Sequence, residues 1–322
     1  MRKNKYIYLA GASLIFNFIF LYVLYTNLQP ASKKTPETST QYSYPYLSKR
    51  IFAENQNDIL INFIPLRQSM REYINKQEGK VGTYFEYLPS GVSIGVNDKV
   101  EIRLASLSKV PIVMSIFKKI ERGQMSPSDM LVIEKTHLDQ GFGNLWKRGE
   151  GAELSVQELI ELSLIESDNT AYNVLLGQLT GQELNEVYKN LDISITVDIG
   201  EDEKYLRVSP KNYSSIFRSL YLASFLSKEN SNHILKLLTQ TAFKDKIADG
   251  VPDTIKVAHK IGTFEEVDTL QNVFIDCGII YIPNRPYILC AFVLDTNEEA
   301  QKHMLYISKT IYEYITKVKG GN

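Results

Sequence analysis

Two residue types that can activate one another stand three positions apart in the first half of the chain. Ser106 and Lys109 lie in residues 105–109 (ASLSK), which lead into an apolar stretch with helical spacing. In a helix that begins at Ser106, both side chains share one face. A lysine whose pKa is lowered by burial can make a serine hydroxyl nucleophilic, and a helix start offers backbone N–H groups to an oxyanion. The same spacing also fits a polar helix start with a solvated lysine.

A second polar cluster, Ser167, Asp168 and Asn169, follows a run of apolar residues. A serine here could pass a proton to a departing amine, and an asparagine could bind a substrate amide and orient a lysine. Serine, aspartate and asparagine are also the residue types preferred at helix N-termini. The cluster therefore fits the start of a helix whether or not it takes part in chemistry.

A third cluster lies in residues 259–264 (HKIGTF), which have the pattern of a β-strand. Lys260 could hold a substrate carboxylate, and Gly262 would let the backbone approach a bound acyl group closely. The N–H of Thr263 could pair with that of Ser106 to form an oxyanion hole. An ordinary strand with a bulge is the alternative interpretation.

The patterns around these clusters predict strands near both ends of a domain and helices between them. Predicted helices cover residues 58–77, 106–123, 155–166, 169–179, 181–190, 210–226 and 297–318. Predicted strands cover residues 82–88, 92–96, 259–264, 271–281 and 287–295. The most specific helix signal is the capping box formed by Ser155 and Glu158. This order indicates an α+β fold, in which N- and C-terminal strands build one antiparallel β-sheet flanked by helices, with an all-helical subdomain beside it.

The N-terminal fifty residues differ from the rest of the chain. Residues 6–28 are almost wholly apolar and are long enough to span a bilayer as a helix, and basic residues in 1–5 would keep that end in the cytoplasm. A cleaved signal peptide is the alternative, but its apolar core is shorter and ends at a small-residue cleavage site. Residues 29–50 have the composition of a flexible linker. We therefore expect a single-pass membrane protein, with residues 51–322 forming a domain outside the cytoplasmic membrane.

Composition and charge exclude several other classes of protein. The net charge is −1 and there is no long basic run, which argues against nucleic-acid binding. The four histidines are far apart and only two cysteines occur, so we expect no metal and no cofactor. Cys277 and Cys290 are either buried core residues or, if a hairpin turns at 283–284, a bridged pair. No feature indicates an oligomeric state.

Together and in this order, the three clusters resemble the S-x-x-K, S-D-N and K-T-G motifs of penicillin-recognising serine hydrolases, and class A β-lactamases most closely. The resemblance runs from about residue 58 to 317 and also includes residues 141–145 (GFGNL). It implies a β-lactamase/transpeptidase-like fold and an acyl-enzyme formed with a D-Ala-D-Ala peptide of peptidoglycan or with a β-lactam. The implied roles are those of the nucleophile Ser106, the base Lys109, the proton-relay residue Ser167, and the substrate-binding residues Asn169, Lys260, Gly262 and Thr263.

Two departures from these motifs bear on the activity. Ile261 stands where the family usually has threonine or serine, which removes a hydroxyl donor for a substrate carboxylate. The segment between 191 and 210 is short and lacks the Glu-x-x-x-Asn pattern that serves deacylation in class A β-lactamases. Glu201 and Glu203 are candidate deacylation bases, or else solvated loop acids. Three functions stay open: a β-lactamase-like serine hydrolase or D,D-peptidase, a true class A β-lactamase, and a non-catalytic penicillin- or muropeptide-binding module.

Overall fold

A computed structural model of the chain describes residues 44–48, 61–78, 80–193, 195, 206–266 and 271–318. The helices within these ranges are α1 (Ile64–Asn75), α2 (Lys109–Glu121), α3 (Val156–Ile165), α4 (Asn169–Leu176), α5 (Gly181–Asn190), α6 (Pro210–Leu222), α7 (Lys228–Leu238) and α8 (Asn297–Lys317). The strands are β1 (Val81–Tyr87), β2 (Val92–Val96), β3 (Ile102–Arg103), β4 (Met130–Val132), β5 (Glu153–Ser155), β6 (Arg207–Val208), β7 (Val257–Glu266), β8 (Gln271–Ile280) and β9 (Tyr287–Leu294). The predicted α+β class is confirmed.

Strands from both ends of the described chain form one antiparallel sheet, as predicted. Its order is β2-β1-β9-β8-β7, so β1 pairs with β9 and β7 forms one edge. Side chains alternate between the two faces of the sheet. One face packs against α1 and α8 through residues such as Leu66 and Ile311, and the other packs against the helical middle portion through residues such as Ala258 and Phe292. The edge strand β7 therefore lies where sheet and helical portion meet.

Helix α2 lies at the centre of the helical portion. Residues 109 to 117 are all buried, and Val110, Val113 and Ile116 expose no surface. The helix packs against α4 and α5. Each fully buried aliphatic side chain of this kind contributes roughly 1.5–3 kcal/mol to stability. The packing fixes the N-terminal end of α2, which carries Lys109.

Helix boundaries differ from the predicted ones for local reasons. Helix α1 begins at Ile64 rather than at residue 58, and Pro65 lies in its first turn, where its missing N–H costs no hydrogen bond. The helix predicted from Ser106 begins as a 3₁₀ turn, Ala105–Ser108, before α2 continues it. Helix α7 is not among the predicted helices, although Ser227 caps it with its side chain.

Residues 44–48 pack onto the folded domain, although they belong to the predicted linker 29–50. Leu47 is buried, and the N–H of Tyr46 donates to Oδ1 of Asn232 at 3.2 Å. The compact unit accordingly begins with this segment, ahead of the predicted domain start.

The predicted membrane anchor, residues 6–28, lies outside the described residues, as do Glu201 and Glu203. Among the described helices, none is both long and apolar enough to cross a bilayer. The single-pass topology therefore stays a prediction.

The two cysteines lie on neighbouring strands of the sheet. Cys277 of β8 stands directly opposite Cys290 of β9, with 4.0 Å between their Cα atoms, and the two form a disulfide. The connecting turn places Asn284 at a φ of 60°, a left-handed conformation that asparagine tolerates better than most residues. The structure therefore contains the predicted hairpin, and of the two alternatives for the cysteines it shows the disulfide.

Candidate active site

Polar side chains from three separate segments meet around the amine of Lys109. Its Nζ donates to Oγ of Ser106 at 2.8 Å and to Oδ1 of Asn169 at 2.8 Å, and it lies 3.4 Å from Oγ of Ser167. Nζ of Lys260 donates to the same Ser167 hydroxyl at 2.7 Å. The three polar clusters of the sequence therefore line one site.

The turn that carries Ser106 holds an accessible hydroxyl above a buried amine. Ala105 adopts a φ of 45°, a left-handed conformation that is uncommon in residues other than glycine. The hydroxyl of Ser108 donates to the carbonyl of Ala105 at 2.8 Å and so closes the turn. Ser106 stays partly exposed, whereas Lys109 is only 2% exposed. A substrate can reach the hydroxyl while water is largely excluded from the amine beside it.

Hydrogen bonds to Asp168 hold the segment in which its neighbours Ser167 and Asn169 line the site. Its carboxylate caps α4 by accepting the N–H of Ala171 at 2.9 Å, and it also accepts the N–H of Leu145 at 2.8 Å. A side chain at Gly143 would collide with this carboxylate, so a glycine is required there. Ser167 has a φ of 58°, a conformation that costs energy and is often found at functional sites. The cluster is thus a helix start, as its residue types indicate, and it also lines the site.

Asn169 is fixed by hydrogen bonds at both ends of its amide. Its Oδ1 accepts from Lys109, and its Nδ2 donates to Oδ1 of Asp139 at 3.1 Å. The same Asp139 oxygen accepts the N–H of Gly141 at 2.7 Å. The Asp-x-Gly pattern is a signal for such a turn, but nothing in the pattern places the turn beside Asn169. An amide nitrogen carries two hydrogens, so one remains for a ligand.

Strand β7 brings Lys260, Gly262 and Thr263 against the turn that carries Ser106. Lys260 is fully buried, and Thr263 is exposed. A Cβ atom on Gly262 would lie 2.9 Å from Cδ1 of Leu107 and 3.1 Å from the carbonyl oxygen of Leu104. Glycine therefore permits the close approach of β7 to the 3₁₀ turn Ala105–Ser108.

Burial lowers the pKa of both lysines. The pKa of Lys109 falls from 10.5 to about 8 because its amine is desolvated, against the raising effect of the carboxylates of Asp168 and Asp139. Burial lowers the pKa of Lys260 well below its usual range, repulsion from Lys109 lowers it further, and Asp276 opposes both effects. About half of the Lys109 amine is therefore neutral near pH 8 and able to accept a proton.

A buried histidine–aspartate pair supports β7 from the other face of the sheet. Nδ1 of His259 lies 2.9 and 3.1 Å from the two carboxylate oxygens of Asp276, and the N–H of Ile247 donates to the same carboxylate at 3.1 Å. Gly278 stands opposite His259, and a side chain there would collide with it. The sequence does not reveal this pair, because the contact depends on the register of β7 against β8.

Comparisons with known proteins show which family the chain resembles in sequence. The chain matches the model of the Beta-lactamase enzyme family over residues 65–315. It is 23% identical over 238 residues to β-lactamase VEB-1 of Pseudomonas aeruginosa, which covers 67% of this chain and 78% of that protein. A β-lactamase of Bacteroides uniformis is 23% identical over 269 residues, which covers 77% of this chain and 90% of that protein.

Solved structures show the same fold. PBP-A matches with a TM-score of 0.71 at 22% identity, covering 79% of this chain and 97% of that chain. The extended-spectrum β-lactamase TLA-3 matches with a TM-score of 0.72 at 20% identity, covering 80% of this chain and 100% of that chain. The β-lactamase/transpeptidase-like architecture is thereby confirmed. Because the family model spans most of the folded domain and the architecture agrees with it, the chain belongs to the Beta-lactamase enzyme family.

Proposed function

We propose that the protein is a serine acyl-transfer hydrolase that forms an acyl-enzyme through Ser106 with D-Ala-D-Ala peptides or β-lactams. The observation that carries the proposal is the 2.8 Å contact between Nζ of Lys109 and Oγ of Ser106, together with the pKa of about 8 for that lysine. A neutral amine at this distance can accept the hydroxyl proton while the oxygen attacks a carbonyl carbon. The family supports hydrolysis of an amide bond as the overall reaction.

The bond and proton changes balance within the site. As Oγ of Ser106 bonds to the carbonyl carbon, its proton passes to Lys109, and the N–H groups of Ser106 and Thr263 stabilise the oxyanion. Ser167 contacts both lysines; it delivers its proton to the leaving nitrogen as the C–N bond breaks and regains one from the protonated Lys109, which leaves that amine neutral again. The second N–H of Asn169 donates to the amide of the bound acyl group. Water or an amine then releases the acyl group and restores the hydroxyl.

The fate of the acyl-enzyme separates two enzyme activities. VEB-1 and the Bacteroides uniformis relative are β-lactamases, which favours β-lactam turnover as the second candidate. A variant of PBP-A, with a TM-score of 0.71, was solved as an acyl-enzyme complex with penicillin G. The sequence segment with Glu201 and Glu203 lacks the Glu-x-x-x-Asn pattern, and losing general-base help slows a reaction about 10²–10⁴-fold. We therefore favour slow deacylation over efficient β-lactam turnover.

We also propose that residues 6–28 anchor the chain in the cytoplasmic membrane and leave the domain on the side of peptidoglycan. The length and apolarity of this segment and the basic residues in 1–5 support the proposal. Full-length protein is expected in the membrane fraction and resistant to alkaline carbonate extraction. Its recovery in the soluble fraction would contradict the anchor.

A fluorescent penicillin tests the proposed nucleophile. At saturating concentration, the label is expected on the wild-type chain and on Ser128→Ala, a control that removes an exposed serine, but not on Ser106→Ala. Nitrocefin turnover far beyond one equivalent, lost in Glu201→Gln or Glu203→Gln, would establish the true β-lactamase instead. If no β-lactam and no D-Ala-D-Ala analogue labels the protein, the non-catalytic binding module replaces the enzyme.

A further inference from the structure

The backbone carbonyl of Leu107, the residue directly after Ser106, lacks the partner that it would have in a regular helix. In an α-helix this oxygen accepts from the backbone nitrogen four residues on, and that residue is Pro111 of α2. Proline has no N–H, and its ring collides with a carbonyl four residues back in regular helical geometry. The N–H of Lys109 also points at this oxygen, but the carbonyl of Ser106 shares it. The carbonyl of Leu107 is therefore open to a donor from another element.

Tyr213 of α6 supplies that donor. Its hydroxyl donates to the carbonyl of Leu107 at 2.8 Å, and the side chain is only 2% exposed. Its ring packs edge-on against Phe217, one turn further along α6. Burial raises the pKa of Tyr213 well above its usual range, and the neighbouring Tyr188 adds to the effect. The phenol therefore keeps its proton, and stays a donor, over the whole pH range in which Lys109 titrates.

The space around this contact is apolar. Tyr213 and Leu107 line one small cavity, and its other walls are aliphatic side chains and the disulfide of Cys277 and Cys290. A water molecule that took the place of the phenol would find few polar partners there. Loss of the hydroxyl would therefore leave a buried carbonyl without this donor, and the turn would have to move to relieve the loss.

The backbone of Leu107 links the nucleophile to its base. Its N–H donates to the carbonyl of Leu104 at 2.9 Å, so hydrogen bonds from Leu104 and Tyr213 hold both ends of the residue. Oγ of Ser106 lies one residue before it, and Nζ of Lys109, 2.8 Å from that oxygen, belongs to the residue two positions after it. A shift of about 1 Å in a reacting group can slow a reaction about 100-fold. The position of this carbonyl therefore bears on the rate of acylation.

We propose that Tyr213 is a positioning residue for acylation, and that its hydroxyl replaces the helical N–H that Pro111 lacks. By holding the backbone of Leu107, it keeps Ser106 and Lys109 in contact. This inference rests on the proposed acyl-enzyme, because acylation is the step that the contact serves. The phenol acts through the backbone and not on the substrate, so its importance depends on the proline.

The dependence is tested by a double-variant cycle on the second-order rate constant for labelling by a fluorescent penicillin. Tyr213→Phe removes only the hydroxyl and is expected to slow labelling about tenfold or more. Pro111→Ala restores a backbone N–H, and in this background Tyr213→Phe is expected to slow labelling less than about threefold. The midpoint of the pH profile is expected to stay at that of the wild type, since the phenol does not titrate in this range.

Tyr287→Phe is the matched control. The side chain of Tyr287 is as buried as that of Tyr213, but it packs on the opposite face of the sheet. Its hydroxyl has no hydrogen-bond partner within the described part of the chain, so this variant is expected to label at the wild-type rate. Each variant is first checked for cooperative thermal unfolding. A Tyr213→Phe chain that folds only together with Pro111→Ala would support the pairing, and failure to fold in both backgrounds would contradict it.

Two outcomes overturn the inference and leave acylation through Ser106 intact. One is a Tyr213→Phe chain that labels at the wild-type rate, and the other is an equal loss of rate with and without Pro111→Ala, as a merely structural role would give. If neither a β-lactam nor a D-Ala-D-Ala analogue labels the wild type, the proposed function fails, and a crystal structure of Tyr213→Phe decides the inference. A separation of Oγ of Ser106 and Nζ of Lys109 greater than the present 2.8 Å would support it, and an unchanged one would overturn it.

Discussion

Raising the pH from 8 to 9 is expected to speed acylation of Ser106 about twofold, rather than the tenfold expected of an ordinary lysine base. Burial lowers the pKa of Lys109 to about 8. The neutral fraction of this lysine is then roughly 0.09 at pH 7, 0.5 at pH 8 and 0.9 at pH 9. A lysine of pKa 10.5 would be neutral to only about 0.0003 at pH 7. Burial therefore raises the reactive fraction at pH 7 about 300-fold.

The assay is the second-order rate constant for acylation by an uncharged N-acyl-D-alanyl thioester, measured from thiol release between about pH 6.5 and pH 10. The constant is expected to rise about fivefold from pH 7 to pH 8 and to level off above pH 9. Lys109→Arg keeps a cation that does not lose its proton in this range, so it is the control that removes the rise. A rate that climbs tenfold per unit up to pH 10, or one that is independent of pH, would refute Lys109 as the base.

Three further substitutions test the surroundings of the site. Asp139→Asn removes a charge that raises the pKa of Lys109, so the midpoint of the acylation profile should move below that of the wild type; an upward move would contradict this. Gly262→Ala crowds the turn that carries Ser106 and should slow acylation about tenfold or more; an unchanged rate would show that β7 can shift. Arg218 of α6 donates to the buried carboxylate of Glu86 on β1, and this ion pair joins the helix to the sheet. Glu86→Gln weakens the pair and should lower the free energy of unfolding by about 1–3 kcal/mol in denaturant titrations, with acylation retained. Stability equal to that of the wild type would refute that role.

Local spacing in the sequence predicts the elements whose determinants are local. The capping box of Ser155 and Glu158 predicts the start of α3, and both reciprocal hydrogen bonds are present. Helix α5 has the predicted bounds, and Thr180 caps it in the same way. Apolar runs rich in β-branched and aromatic residues predict the strands at the two ends of the domain. The α+β fold class can therefore be predicted from the sequence.

Contacts that depend on register or on loop geometry are not predictable in this way. The pairing of His259 with Asp276 exists only in the observed register of β7 and β8, and a shift by one residue would turn one partner to the opposite face. Asp139 reaches Asn169 from a loop whose path is set by tertiary packing. The order of the motifs predicts that Lys109 and Asn169 belong to one site. The distance between their side chains is set by the fold and cannot be predicted from the order.

The most direct test of the central claim is a crystal structure of the full-length protein after reaction with a slowly deacylating acyl donor. Continuous density is expected from Oγ of Ser106 into the acyl group, with the carbonyl oxygen about 2.7–3.1 Å from the backbone nitrogens of Ser106 and Thr263. The hydroxyl of Ser167 is expected beside the former leaving group. An adduct on another residue, or an acyl oxygen that points away from β7, would contradict the account.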